Sequence, residues 1–262
     1  MQIVTYTERN FVKRHRGTLP VLLTAPHGGS VVPPGVLERE ETQTPRGCDF
    51  VIRRDNQTLQ ITEAVAQRLL DLTGLSPYTV IACFRRRYAD ANRSAACAFT
   101  DPAAQPLYEE YHRRVARYAA EILGENQGRG FLFDIHGTQE IAADPADVYL
   151  GTAGGASLPP GFDRRNLFMQ HGLHGLIKAV RHPAGEGGQG PAFRYRVSPS
   201  NAAAAETPAV SGGFTIRCYG ATIPAVQIEI ADTIRDDAEK RALFVDDLAL
   251  AIVNFVRRYA PF

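Results

Sequence analysis

The chain reads as an α/β protein whose sheet is mainly parallel and buried on both faces. Two observations carry that reading. Short apolar runs alternate with longer stretches of helical periodicity, the order that builds a parallel sheet under helices. Two of those runs, Val21-Leu22-Leu23-Thr24-Ala25-Pro26-His27-Gly28-Gly29 and Phe131-Leu132-Phe133-Asp134-Ile135-His136-Gly137, each close on a histidine followed by glycine. Both read as buried strands ending where open α/β sheets collect their ligands, beyond the carboxyl ends of the strands.

Leu19 to Ala25 is the first expected strand. From Gln57 to Leu72, the residues Leu59, Ile61, Val65, Ala66, Leu69 and Leu70 recur at helical spacing. Tyr78 to Phe84 is the next strand, carrying β-branched Thr79, Val80 and Ile81 after a Ser76-Pro77 turn. Pro106 to Leu123 is a second helix, with Leu107, Tyr111, Val115, Tyr118, Ile122 and Leu123 on one face. Gly124 to Gly130 ends it, and Phe131 to Ile135, Val148 to Leu150 and Val226 to Ile230 are further strands. Asp236 to Tyr259 is a long helix that begins with acids and ends with Arg257 and Arg258, as the helix dipole favours. Residues 181–210 are rich in Gly, Pro, Ala and Ser. A loop of that length reads as an active-site flap or insertion within one domain spanning 1–262.

The 262 residues are 44% hydrophobic and 22% charged, the make-up of an ordinary soluble globule with a sizeable core. A net charge of +1 gives no electrostatic case for nucleic acid or an acidic membrane as partner. Met1 to Gly17 is polar and basic with no apolar segment, so no signal peptide is read there. Cys48, Cys83, Cys97 and Cys218 form no Cys-x-x-Cys pair. They are expected as reduced thiols of a cytoplasmic protein, although a single bridged pair is compatible with the sequence. The oligomeric state is not legible.

Neutral imidazole is the commonest protein ligand for zinc, so two histidines at strand ends point to a metal site. A zinc hydrolase needs a third protein ligand and an open position. Asp55, in Arg53-Arg54-Asp55-Asn56-Gln57-Thr58, is the first candidate, with Asp49 in reserve. Asp55 also suits the N-cap of the following helix. Arg85-Arg86-Arg87-Tyr88-Ala89-Asp90-Ala91-Asn92-Arg93 brings four arginines after a strand. It reads either as a solvated edge or as an anion site, since guanidinium forks bind carboxylates bidentately. Glu229, inside Ala225-Val226-Gln227-Ile228-Glu229-Ile230, is a carboxylate in an apolar strand. It must be paired, bind metal, or have a raised pKa suited to a general base. His112 is a weaker candidate for substrate contact. His171 and His174, three apart, are a weak alternative metal pair broken by glycines.

These segments occur in a telling order: Pro-His-Gly-Gly at 26–29, Arg-Asp at 54–55, Arg-x-x-x-Asp-x-Asn-Arg ending at Arg93, Tyr-His at 111–112, Asp-Ile-His-Gly at 134–137, Ser-Gly-Gly-Phe at 211–214 and Gln-Ile-Glu-Ile at 227–230. Together they resemble the N-formylglutamate amidohydrolase family, which is related to the zinc carboxypeptidases and to aspartoacylase. The resemblance spans roughly residues 20 to 235. It implies a three-layer α/β/α sandwich around a mixed, mainly parallel sheet of about eight strands. It implies Zn2+ held by His27, Asp55 and His136, with Glu229 as base. Asn92 and Arg93 would hold the substrate carboxylate. A further arginine would polarise the scissile carbonyl: Arg86 by the family spacing, Arg85 by the aspartoacylase spacing. The chain departs from the pattern at Ser30, where the carboxypeptidases have Glu, at Ala91 in place of Leu, and across 181–210.

The expected function is a zinc-dependent hydrolase that cleaves the amide of a small N-acyl amino acid, with N-formylglutamate first in line. A zinc carboxypeptidase or cell-wall peptide amidase is the alternative enzyme. A metal- or anion-binding protein without turnover is the alternative from another class.

Overall fold

A computed structural model of the chain describes residues 2–158, 162, 173–180, 182, 192–201 and 203–262. Its strands are β1 (Thr7–Arg9), β2 (Val12–His15), β3 (Leu19–Ala25), β4 (Pro77–Ala82), β5 (Phe131–Thr138), β6 (Val148–Gly151), β7 (Val197–Ser198) and β8 (Ala225–Ala231). The helices are α1 (Thr58–Thr73), α2 (Ala95–Ala98), α3 (Gln105–Glu125), α4 (Leu173–Ala179), α5 (Phe214–Tyr219), α6 (Asp232–Arg235) and α7 (Ala238–Tyr259). The strands form one eight-stranded sheet in the order β1-β2-β4-β3-β5-β8-β6-β7. The pairs β3–β4, β3–β5, β5–β8 and β6–β7 are parallel, and β1–β2, β2–β4 and β6–β8 are antiparallel.

Strand alternation sorts the core into two layers. Leu19, Val21 and Leu23 of β3 face α1 and α7, through Ile61, Val65 and Leu69 and through Leu248, Ile252 and Phe255. Leu22 faces the other way, into Tyr111, Val115 and Ile122 of α3. Both faces are therefore covered, which is why β3, β4 and β8 are buried along their whole length and read as continuous apolar runs. Each Val or Leu buried there contributes roughly 1.5–3 kcal/mol.

The strand order places the site. From β3 the chain crosses through α1 to β4 on one side. From β5 it leaves toward β6 on the other side. The connections after β3 and β5 thus diverge and open a crevice between the carboxyl ends of these neighbours, the switch point where doubly wound sheets hold ligands.

Three features depart from expectation. The β1–β2 hairpin is polar, and its turn puts Asn10 and Phe11 at φ 47 and 56. A Phe stands where such turns usually carry glycine, so the sequence signal is hidden. The short helices α4 and α5 lie below the length at which periodicity is visible. Cys48 and Cys97, 49 residues apart with Cα atoms 5.6 Å apart, form a disulfide. The expectation of four reduced thiols is thereby corrected. Spacing along the chain could not show that the two loops meet. Cys83 and Cys218 are free. Among the described residues no helix is long and apolar enough to cross a membrane.

Candidate active site

His27 lies two residues beyond the end of β3, and the lead into α1 is folded back onto it. The Asp55 amide donates to the His27 carbonyl at 3.2 Å. Gly28 makes that approach possible, because a Cβ there would stand 2.4 Å from the Leu59 nitrogen. His136 lies near the end of β5, and the Gly137 amide donates to Asp55 Oδ2 at 3.1 Å. Asp55 does not cap α1. The N-cap position is Gln57, at φ 68, and the Asp55 carboxylate turns to the histidines instead.

His27, Asp55 and His136 are all buried, and their donor atoms lie within 4.8 Å of one another. Nδ1 of His27 is 3.4 Å and Nδ1 of His136 is 3.3 Å from the same oxygen, Asp55 Oδ2. Ligands of a tetrahedral ion bound at about 2.0–2.1 Å stand roughly 3.3–3.4 Å apart, so the spacing suits one. The opposite ring nitrogens are fixed: His27 Nε2 meets Asp90 Oδ1 at 2.7 Å, and His136 Nε2 meets Asp134 Oδ2 at 2.8 Å. An ionised carboxylate only accepts, so each Nε2 carries the proton and each Nδ1 turns inward. His27 Nδ1 is buried without a hydrogen bond, as a metal-ligating nitrogen would be. Asp134 is held in turn by the Thr24 hydroxyl at 2.6 Å.

The electrostatics ask for positive charge. Burial raises the pKa of Asp55, but His27 and His136 outweigh it and hold the carboxyl well below the usual range. Burial opposes a charge on His136, yet Asp134, Asp55 and Glu229 hold its pKa well above the ordinary histidine value. A divalent cation answers the same demand as that proton. These residues fit a metal of the kind bound by two imidazoles and a carboxylate.

Glu229 sits beside this cluster because β8 pairs in parallel with β5, with His136 opposite Glu229. Burial pushes its pKa up to about 7, against the opposing pull of His136. Gln227, two residues earlier on the same face, donates to Glu229 Oε1 at 2.9 Å and accepts from the Gly213 amide at 2.7 Å. Arg86 is buried, its Nε 2.7 Å from Asp90 Oδ2 and its Nη1 4.0 Å from Asp55. Asp90 therefore binds both His27 and Arg86.

His27, Asp55, Arg86, His136, Gln227 and Glu229 line a cavity of about 660 Å³, together with Asp49, Asn92, Arg93, Arg217 and both half-cystines Cys48 and Cys97. Arg93 spends one Nη on the Asn92 carbonyl at 3.0 Å, and its buried Nε has no partner. Asn92 accepts from the Thr215 amide at 2.7 Å. The SGGF turn is needed for this contact, since a Cβ on Gly213 would stand 2.0 Å from Asn92 Nδ2.

Other expected residues fall elsewhere. Asp49 lines the cavity but is 87% exposed and faces Arg93 at 3.9 Å rather than the histidines. Arg85 leaves the cavity and lines a second pocket with Ile52, Arg53, Arg54 and Arg87. Its Nε donates to the Ser30 carbonyl at 2.9 Å. Thus Arg86, and not Arg85, faces the cluster. His112 is not among the cavity-lining residues; it packs on Phe214 and meets the Tyr219 hydroxyl at 2.9 Å through Nδ1. His174 is buried on α4 away from the cavity, and its partner His171 lies outside the described residues. Of residues 181–210, Pro208, Ala209 and Val210 line the cavity, while 181, 183–191 and 202 lie outside the described residues.

Asp90, Asp134 and Gln227 stand within the quoted motifs, two residues from Asn92, His136 and Glu229, but spacing alone gave them no role; their contacts with the histidines and Glu229 emerge only in the fold.

No protein-family model and no curated protein matches this sequence. Solved structures do. An N-formylglutamate amidohydrolase from Ralstonia eutropha JMP134 superposes with a TM-score of 0.59 at 19% identity, over 92% of this chain and 95% of its own. A gene product of Agrobacterium tumefaciens superposes with a TM-score of 0.57 at 15% identity, over 94% of this chain and 95% of its own. The chain thus shares, almost end to end, the fold of an N-formylglutamate amidohydrolase, and its His27–Asp55–His136 cluster stands at that fold's switch point.

Proposed function

We propose that this protein is a zinc-dependent amidohydrolase acting on a small N-acyl amino acid, with N-formylglutamate the first candidate. The observation that carries the reading is the convergence of His27 Nδ1 and His136 Nδ1 on one oxygen of Asp55, with Glu229 beside them. Zinc, held by His27, Asp55 and His136, would supply Lewis acidity, lowering the pKa of water to about 7.

The chain's own residues do the rest. Glu229, poised near neutrality, takes the proton from the attacking water and delivers it to the leaving amine nitrogen. One water is consumed, the C–N bond breaks, and a carboxylic acid and an amine are formed. Gln227 holds the Glu229 carboxylate in place. Arg86, fixed by Asp90, offers its free guanidinium nitrogens to the carbonyl oxygen as negative charge builds there. Arg93, with its unpartnered Nε, grips the substrate carboxylate, and Asn92 lines the same wall. Asp90 and Asp134 keep both imidazoles in the ligating tautomer.

The test is hydrolysis of a panel of N-acyl amino acids and short peptides, with and without zinc. Zinc-dependent release of the amino acid from N-formyl substrates is expected. Cleavage confined to peptides would favour the peptidase reading. Metal binding with no turnover on any substrate would leave a binding protein.

A further inference from the structure

We infer that the second pocket, lined by Arg53, Arg54, Arg85 and Arg87, is a binding site for a compact phosphorylated small molecule. It shares no lining residue with the cavity, and its occupancy does not depend on the amidohydrolase reading.

The pocket has a volume of about 270 Å³, and its remaining lining residue is Ile52, 36% exposed. No acid lines it. The chain as a whole has 29 basic and 28 acidic residues, so the gathering of positive charge is local. Elsewhere acids collect the arginines: Glu110 takes Arg14, Arg113 and Arg114, and Glu121 takes Arg16 and Arg117. In the pocket one counter-charge reaches in from outside, Glu38, 3.1 Å from Arg87 Nη1. Arg53 makes no ion pair or side-chain hydrogen bond among the described residues.

Exposed arginines are usually just solvated. The mounting of these four argues otherwise. They come from two segments, 53–54 and 85–87, that are far apart in the chain and bolted together by a buried residue. Arg39, 4% exposed, donates from Nε to the Arg86 carbonyl and from Nη2 to the Val51 carbonyl. Its own amide donates to the Arg87 carbonyl at 2.8 Å. Arg85 is fixed again from the other side, its amide donating to the Val31 carbonyl at 3.0 Å. Like charges are thus brought together on a framed surface, where nothing in the fold gains from their proximity.

The side chains are held by their stems. Arg85 Nε donates to the Ser30 carbonyl and Arg54 Nε to Asn56 Oδ1, each at 2.9 Å. Both tethers leave the terminal nitrogens free for a bidentate partner. Guanidinium forks from two sides suit a ligand with several oxyanion oxygens at one centre, which a phosphoryl group offers and a single carboxylate does not. The volume falls below the roughly 300–1,000 Å³ of pockets that enclose whole drug-sized ligands, so the phosphates fill it and Ile52 meets what they are attached to.

The experiment titrates adenosine, AMP and ADP by calorimetry at low ionic strength into wild type, Arg53→Ala and the double variant Arg53→Ala, Arg85→Ala. Wild-type affinity should climb along the series by about tenfold for each phosphate added. It should fall as sodium chloride is raised. The double variant should flatten the series. Arg53→Ala removes a side chain that holds nothing in the fold; it should flatten the series in part, and it decides if the double variant does not fold. A series that is flat in wild type overturns the inference. A series that survives in the double variant also overturns it, and its collapse in Arg93→Ala would put the phosphates in the cavity instead. Sedimentation with phosphatidylglycerol vesicles is the second arm. Vesicle binding that the double variant loses, without affinity for ADP, would assign the arginines to a lipid headgroup and overturn the free ligand.

Discussion

His136 and Glu229 face each other in register across β5 and β8, with Nδ1 and Oε1 4.0 Å apart. A candidate metal ligand and a candidate base are thereby placed side by side by backbone pairing, on two neighbouring buried strands. Rigid strands place functional groups more reliably than loops do. The two acids near the histidines are mounted differently, Asp55 on the loop before α1 and Glu229 on β8.

Metal content is the first expectation. Protein purified without chelator should hold about one zinc per chain, and His27→Ala or His136→Ala should lose it. Asp134→Asn removes the acceptor that fixes His136 and should weaken zinc affinity about 10–100-fold. Metal analysis with competitive chelation checks both. Full occupancy in both alanine variants would place the metal elsewhere.

Glu229→Gln should keep zinc and fold, yet lower kcat by roughly 10²–10⁴-fold. Asp55→Asn should weaken zinc binding, with activity partly restored by excess metal. Kinetics and metal content measured on both variants decide. Exchanged behaviour would exchange the two roles, and a fully active Glu229→Gln would remove the proposed chemistry.

Arg93 should recognise the substrate carboxylate. Amidating that carboxylate should then cost wild type about 1.5–3 kcal/mol in kcat/KM and cost Arg93→Ala little. Equal losses in the two proteins would mean another group is the partner.

His112 should make the protein acid-sensitive. Burial lowers its pKa from 6.5 to about 4, so the folded state prefers the neutral ring more strongly than the unfolded chain does. The stability from that preference is complete above pH 6.5 and is lost as pH falls toward about 4. Thermal melts across that range should fall less steeply in His112→Gln than in wild type. Parallel curves would show that His112 is not the titrating group.

The Cys48–Cys97 bridge ties the loop before Asp55 to the segment after Arg93, both at the cavity rim. The double variant Cys48→Ser, Cys97→Ser should lose about 2–4 kcal/mol of stability in denaturant titrations under oxidising conditions. Under reducing conditions the two proteins should converge. A variant as stable as oxidised wild type would show that the bridge contributes nothing.

The α/β alternation, the buried strands around Leu22 and Phe133, and both site histidines were legible in the sequence. The reason is that burial on two faces writes itself as continuous apolar runs, and such runs must stop where the backbone turns to a ligand. Glu229 was legible for the same reason, as a charge that an apolar strand cannot carry without a task. Tertiary structure alone decided the choices among neighbours. Asp55 rather than Asp49 meets the histidines because the path across Gly28 brings the lead of α1 onto His27. Arg86 rather than Arg85 faces the cluster because Asp90 takes its Nε, while Ser30 takes that of Arg85. The pairing of Cys48 with Cys97, and the docking of the Thr215 amide on Asn92, depend on loops that meet only after the sheet has assembled. Periodicity reports which side of a strand or helix is buried; it carries no information about which two distant loops share a rim.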